Sequence, residues 1–344
     1  MKTVLVTGAF GNVGRSALAA LDGMGMATRA FEYPSKANRV LARTLGRHAD
    51  MVWGDVRDAG AVAAAVDGVD AVIHLAAVIP PAADADPARA AAVNIGGTAN
   101  VLAAVEASPR RPRLVFSSSV ATYGDRVRDW YIRVDDPLHP CDDDEYAKQK
   151  VECERLVRAS ATDWVICRLS YIVWRRKLAM DPLMFRMPPA TRLEVCHTED
   201  TGYALAKAAF CDEAVGGTYN LAGGESCRTD FRAYLDRMMS LFGLGDSRFL
   251  PDAAFSDRGY HCGYLDTAEA QRLFGFQRKT LEDYYAEVAE EAKGLRFWAR
   301  LFAPAVKASI LARSPYPRKL AERAVGVVKS VRPARGRRSA LSST

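Results

Sequence analysis

The sequence predicts an α/β fold: a doubly wound parallel sheet followed by a smaller, discontinuous C-terminal lobe. Three observations predict it. The run Val4-Leu-Val6 is short and wholly apolar, as suits a buried central strand of a parallel sheet. Glycines at 8, 11 and 14 follow it and lead into the alanine-rich, helix-forming run Arg15–Leu21. Apolar residues make up 49% of the 344, enough for a packed core.

The first element carries the sharpest signal. Strand, glycine turn and helix in succession are the setting of a dinucleotide site. Residues without Cβ let the backbone turn tightly and let a pyrophosphate approach, and the helix offers it unpaired N–H groups and a positive dipole end. Gly8, Phe10, Gly11, Asn12, Val13 and Gly14 form this loop. A second strand through Ala27–Phe31 ends at Glu32, whose carboxylate suits the ribose hydroxyls of an adenosine and would repel a 2′-phosphate. Glu32 therefore favours NAD over NADP, although Arg29, Lys36 and Arg39 nearby could reverse the preference. Met51–Val56 follows, then the buried strand Ala71-Val-Ile-His-Leu-Ala-Ala77. The strand ends in small residues, Ala76 and Ala77 after Leu75, and these three are assigned to the cofactor, which can lie across the sheet there. His74, inside an apolar run, reads as a packed core histidine.

Residues 85–106 read as one long helix, closed by Pro-Arg-Arg-Pro at 109–112. Leu114–Ser119 is a fifth strand running into three serines, and 126–143 looks like a loop over the site. Tyr146-Ala-Lys-Gln-Lys150 opens the next helix, with Asp142, Asp143 and Asp144 as capping candidates. Tyr146 and Lys150 are four apart and share a helix face, whereas Lys148 points away. A free phenol titrates near about 10. An ammonium beside it would lower that value, making Tyr146 a general acid/base on a substrate oxygen. Asp163–Ser170 is a sixth strand and Gly217–Gly223 the last of the core.

These motifs, in this order, resemble the extended branch of the short-chain dehydrogenase/reductase superfamily. That branch has a Rossmann-type sheet and includes NAD-dependent sugar epimerases, dehydratases and hydroxysteroid dehydrogenases. The resemblance covers about residues 1–290. It implies adenine contacts at Asp55 and Val56, a lysine-positioning role for Asn94, and a catalytic set of Ser119, Tyr146 and Lys150. Three serines in a row blur the first of these, with Ser117 and Ser118 as neighbours. His197 and Asp200 look structural. Arg-Leu-Ser at 168–170 departs from the usual pattern and continues into Ile172-Val-Trp-Arg-Arg-Lys177, which leaves the substrate pocket undefined. Residues 1–170, with 195–222, are assigned to the cofactor domain. Residues 171–194 and 223–293 form the lobe, with a methionine-rich segment (Met180, Leu183, Met184, Phe185, Met187) as either an adaptable apolar wall or plain packing. Arg192 and Arg258 fall near the places where sugar-nucleotide enzymes of the branch clamp a diphosphate, but the spacing is poor.

Seven cysteines are scattered singly, without a Cys-x-x-Cys pair, which reads as free thiols in a reducing, cytoplasmic setting. No metal-ligand spacing is present, and Met1-Lys2 leads straight into the first strand without a signal segment. The net charge of +6 belongs to one end: residues 294–344 hold twelve Lys and Arg and one acid, against 35 basic and 40 acidic residues before them. Within 295–312 the bases Arg296, Arg300 and Lys307 fall on one helical face, with Pro304 as a kink. Such a tail suits an anionic membrane surface, a subunit interface or solvent. Its second basic piece, Arg318 to Arg338, lacks the interleaved aromatics of a nucleic-acid binder.

The function that follows is hydride transfer between a nicotinamide and a secondary alcohol or ketone. An apolar, steroid- or lipid-like small-molecule substrate is favoured. The main rival is a nucleotide-sugar epimerase or dehydratase with tightly held NAD, and a third reading is a non-catalytic nucleotide sensor. Pairing of subunits through helices is implied by analogy with the superfamily.

Overall fold

The computed structural model describes residues 2–45, 49–176 and 182–316. In chain order it opens with β1 (Thr3–Thr7), α1 (Asn12–Gly23), β2 (Ala27–Glu32), α2 (Lys36–Leu45), β3 (Asp50–Trp53), α3 (Ala59–Val66) and β4 (Ala71–His74). Helices α4 (Ala82–Ala85), α5 (Pro87–Ala91) and α6 (Gly97–Ala107) follow, the last two joined by a π-helical turn at Ala92–Gly96. Then come β5 (Arg113–Ser119), β6 (Tyr131–Ile132), α7 (Glu145–Ala159), β7 (Trp164–Leu169), β8 (Tyr171–Val173), β9 (Arg192–His197), α8 (Thr198–Ala208) and β10 (Thr218–Leu221). The lobe adds β11 (Arg228–Asp230), α9 (Phe231–Leu241), β12 (Tyr264–Leu265), α10 (Ala268–Phe274), α11 (Leu281–Glu291), α12 (Lys293–Leu301) and α13 (Ala303–Leu311).

Seven strands form the main sheet in the order β10-β7-β5-β4-β1-β2-β3, and every pairing is parallel. This is the Rossmann-type, doubly wound sheet. Its strands are apolar because both faces are covered. On one side Val4, Val6, Ile73 and Val115 pack with α1, α8 and α10. On the other, Leu5, Val72, Leu114 and Phe116 pack with α3, α6 and α7. The strand order reverses between β1 and β4, so a crevice opens at their carboxyl ends.

The domain boundaries shift from those expected. Strand β9 pairs with β8 and β11 in a small separate sheet, so the return to the main domain starts at α8. Helix α10 also leaves the lobe: Ala270, Phe274 and Phe276 sit in the core beneath the main sheet beside Tyr219. Residue 293 is not the end of the lobe. Ile310 is buried, Val306 and Leu311 pack on the lobe core, and the Ser314 hydroxyl donates to the Ala254 carbonyl at 2.6 Å. The methionine-rich segment is packing, with Phe185 and Met187 buried in that core and Met184 against it. Met180 lies outside the described residues.

Helix α8 crosses α1 at a glycine. A Cβ on Gly202 would lie 2.4 Å from the Ser16 carbonyl carbon and 2.5 Å from the Ala17 nitrogen. Backbone cannot yield as a side chain does, so α8 would have to move. Gly202→Ala is expected to lower stability by about 1–3 kcal/mol. Urea unfolding would show this as a lower midpoint with an unchanged m-value, and an unchanged midpoint would refute the contact.

Candidate active site

Glycines shape the first wall. Gly8 has φ +64°, and a Cβ there would meet the Ala76 nitrogen at 2.8 Å. A Cβ on Gly14 would lie 2.4 Å from the Gly8 carbonyl oxygen. The loop therefore closes on both itself and the end of β4. Gly11 is the N-cap of α1 and has no side chain to cap it, which leaves first-turn N–H groups available to an anion. Glu32 closes the far side. Its carboxylate accepts from the N–H groups of Phe10 and Tyr33, both at 2.9 Å, and from the Asn38 amide at 3.0 Å. Of the cations that could have reversed its preference, Arg29 bonds Asp50 and the Ala65 and Asp67 carbonyls, and Arg39 lies over the Trp53 ring. Asp55 takes both nitrogens of a fork from Arg57, which holds its carboxyl below the usual range.

Thr7 fixes the end of β4. Its hydroxyl shares a 2.7 Å hydrogen bond with His74 Nδ1 and accepts from the N–H groups of Leu75 and Ala76 at 3.2 Å. His74 is buried, and burial pushes its imidazole down to about 3. It is a neutral core histidine, as its apolar setting suggests.

The second wall is β5 and the start of α7. Asp144 caps α7 through the Ala147 N–H at 2.9 Å, so Tyr146 and Lys150 stand on successive turns. The three serines separate by partner. Ser117 donates to the His74 carbonyl and Ser118 to Glu154, whereas Ser119 hydrogen-bonds the Tyr146 phenol. Lys150 Nζ donates to the Ser117 carbonyl at 2.7 Å and lies over the Phe116 ring. Beneath them Arg168 reaches from β7 to Glu154 on α7 with two bonds of 2.9 and 2.7 Å. The same guanidinium bonds the Tyr123 hydroxyl, which donates in turn to Asn220 on β10. Burial works to raise the Glu154 carboxyl, but these bonds hold it below its ordinary value.

The structure overturns two expectations. Lys150 does not draw the Tyr146 phenol down. Burial and the Asp144 carboxylate push it up, opposed by the Ser119 hydrogen bond, and burial lowers the Lys150 ammonium itself. Nor does Asn94 turn its amide to Lys150. The long helix expected at 85–106 is interrupted, and Asn94 sits in the π-helical turn, buried. There it bonds both backbone groups of Val78 and the Gln149 side chain at 2.7 Å.

The two walls enclose one cavity of about 760 Å³, within the usual range for small-ligand sites. It brings together Gly8, Phe10, Gly11, Asn12, Val13, Gly14, Glu32, Asp55, Val56, Leu75, Ala76, Ala77, Ser119, Tyr146 and Lys150. Asn94 stands behind the wall. Ile79, Pro80, Ile172, Trp174, Tyr260 and His261 also line the cavity. Tyr260 and His261 carried no sequence signal, since an irregular stretch more than a hundred residues after Tyr146 delivers them. Their rings stack at 4.2 Å, and burial lowers His261 to about 4. His197 and Asp200 are structural as expected: the first bonds Glu287, the second the backbone of Arg278 and Lys279. Among the described residues no cluster of His, Cys, Asp or Glu could hold a metal ion.

A glycine loop on a helix N-terminus, an acid after β2, and a serine, tyrosine and lysine opposite define a nicotinamide-dinucleotide enzyme of the extended short-chain dehydrogenase/reductase type. The model of the NAD-dependent epimerase/dehydratase family matches residues 4–175, and the chain belongs to that family. The family's cofactor is NAD, and the cavity's donor set fits it. A 3β-hydroxysteroid dehydrogenase/Δ5→4-isomerase of Mycobacterium tuberculosis is 29% identical over 290 residues, 81% of this chain and 68% of that protein. A short-chain dehydrogenase/reductase superfamily protein from Agrobacterium tumefaciens, crystallised with NAD, superposes with a TM-score of 0.65 at 24% identity, covering 88% and 99% of the two chains. A UDP-glucose 4-epimerase from Stenotrophomonas maltophila, with NAD and formylated UDP-arabinopyranose, gives 0.71 at 20% identity, covering 87% and 100%.

After burial, the Asp144 carboxylate is the strongest influence raising the Tyr146 phenol. Asn at this position still caps a helix but carries no charge. Asp144→Asn is therefore expected to lower the phenol's pKa and move the limb of the kcat/KM–pH profile that reports it toward lower pH. A limb that stays put, or moves up, would show that Asp144 does not act on the phenol.

Proposed function

We propose that this chain is an NAD-dependent oxidoreductase that interconverts a secondary alcohol and a ketone on an apolar, steroid- or lipid-like substrate. The observation that carries this reading is the lining beyond Tyr146. Ile79, Pro80, Ile172, Trp174 and Tyr260 present apolar and aromatic surface there. The two arginines on the cavity wall, Arg57 and Arg89, both act on Asp55, at the opposite end. Neither clamp candidate stands on the wall: Arg192 is exposed on β9, and Arg258 pairs with Asp143 at the surface. Arg186, from the segment just before β9, pairs with Asp84. Among the described residues a diphosphate would find no pair of guanidiniums here, whereas a fused-ring alcohol would find flat walls. The likeness to a hydroxysteroid dehydrogenase supports the same reading.

In this reading Gly8, Phe10, Gly11, Asn12, Val13 and Gly14 hold the pyrophosphate of NAD, and Glu32 the adenosine ribose. Asp55 and Val56 flank the adenine, and Leu75–Ala77 floor the site. Bound NAD supplies the acceptor or donor of hydride. Tyr146 holds a proton at the substrate oxygen, giving it up in reduction and taking it back in oxidation. Ser119 donates to the same oxygen and orients the phenol. Lys150 stands behind the phenol, tied to the sheet through the Ser117 carbonyl. Asn94 secures the Val78 backbone and Gln149, the residue before Lys150.

Tyr146→Phe is expected to lower kcat on hydroxysteroids by about 10²–10⁴-fold while NADH titration stays unchanged. Unchanged turnover would remove Tyr146 from the chemistry. Nucleotide released from the denatured protein separates the rival reading. An exchangeable site preferring NADH supports the dehydrogenase. Stoichiometric, non-exchanging NAD with turnover of a nucleotide sugar and no net redox change would establish an epimerase, and a preference for NADPH would overturn the role given to Glu32.

A further inference from the structure

The apolar surface of the described chain is concentrated on one short helix. Of ten large apolar side chains left exposed, five lie together at α12: Leu295, Phe297, Trp298, Leu301 and Phe302. Phe297 is 66% and Trp298 58% exposed. Spacings of three and four set these residues side by side. Their rings organise further: Phe297 meets Trp298 edge-on at 5.4 Å, and Trp298 stacks on Phe302 at 6.3 Å. A contiguous apolar patch of this kind marks a contact site.

The sequence puts Arg296, Arg300 and Lys307 on one helical face and leaves the direction of that face open. In the structure the stems of Arg296 and Arg300 lie across the lobe, with their Cγ atoms 2.9 and 2.8 Å from where a Cβ on Gly243 would sit. Pro304 does not kink a single helix. It stands in the first turn of α13, where a missing N–H costs nothing, and α12 ends before it. Two short helices result. The second is anchored by Ile310 and Ser314, and the first is held on the lobe by its arginine stems with its aromatic side outward.

We propose that the outer face of α12 docks on an anionic lipid bilayer surface, with Leu295, Phe297, Trp298, Leu301 and Phe302 entering the headgroup region. Charge selects this occupant. Residues 292–316 carry Lys293, Arg296, Arg300, Lys307 and Arg313 and no acid, and 317–344 add eight basic residues against Glu322. Apolar and aromatic side chains bordered by cations are the composition that binds anionic membrane interfaces. A second copy fits less well, because twofold pairing through this face would bring two acid-free cationic segments together. No helix among the described residues is long and apolar enough to cross a membrane, so the contact is peripheral. The inference is independent of which substrate the cavity takes.

The test uses the full chain with vesicles of phosphatidylcholine alone or mixed with phosphatidylglycerol. Co-sedimentation is expected only with the mixed vesicles and should weaken as salt rises. Lipids brominated in the acyl chain should quench Trp298 fluorescence, isolated by comparison with Trp298→Phe. The triple substitution Phe297→Ser, Trp298→Ser, Phe302→Ser should reduce partitioning by about tenfold or more. NADH titration of the variant should be unchanged, which reports an intact fold. The proposal is overturned by no binding to the mixed vesicles, or by equal binding of the triple variant, which would assign binding to the basic segment alone. It is equally overturned by an unquenched Trp298, meaning that other parts of the chain cover it, or by a dimer that the triple substitution dissociates.

Discussion

The buried pairing of Arg168 with Glu154 is the constraint on which the site depends. Both charges are removed from water, and neither would be tolerated there alone. Breaking such a pair typically costs about 3–5 kcal/mol. Its importance is geometric. Glu154 lies one turn beyond Lys150 on α7, and Arg168 is on β7, two hydrogen bonds away. Ser118, Tyr123 and Asn220 complete the network, so β5, β7, β10 and α7 are joined at one point. The serine strand and the tyrosine helix are thereby held in register. Ser119 and Tyr146 meet because the residues beneath them cannot slide.

Around that anchor the cavity is electrostatically graded. At the Glu32 and Asp55 end, carboxylates are satisfied by N–H groups and a guanidinium, and the Arg57 fork holds the Asp55 carboxyl below its usual range. At the Tyr146 end, burial dominates. It raises the phenol and the Asp144 carboxyl, and lowers Lys150 and His261. These four groups are thus biased toward their neutral forms.

Much of this was legible in the chain. The glycine loop, Glu32, the strands of the main sheet and the Tyr146–Lys150 pair are local patterns, set by period, backbone freedom and spacing. His74 was readable because a histidine inside an apolar strand must be packed. Three features were not legible. Tyr260 and His261 reach the cavity from an irregular segment whose place depends on docking against the loop after β5, where the Arg126 N–H donates to the Tyr260 carbonyl. Met184, Phe185 and Met187 offered a substrate wall or a core equally well, and only the position of α9 and the lobe decides for the core. The direction of the Tyr146 shift depends on burial and on Asp144, neither of which has a sequence period.

The sequence alone determined the fold class, the dinucleotide loop, and that Tyr146 and Lys150 share a helix face in a constellation with a serine cluster. These follow from short-range rules: where a Cβ is forbidden, which positions share a helix face, and which runs must be buried on both sides. The tertiary structure alone decided what surrounds that constellation and which way its charges are pushed. It also decided that α12 turns its arginine stems inward and its aromatic residues outward. A helix has two faces, and periodicity names them both. Which one meets the protein is set by the surface it lands on, here Gly243, where the absent Cβ leaves room for two arginine stems.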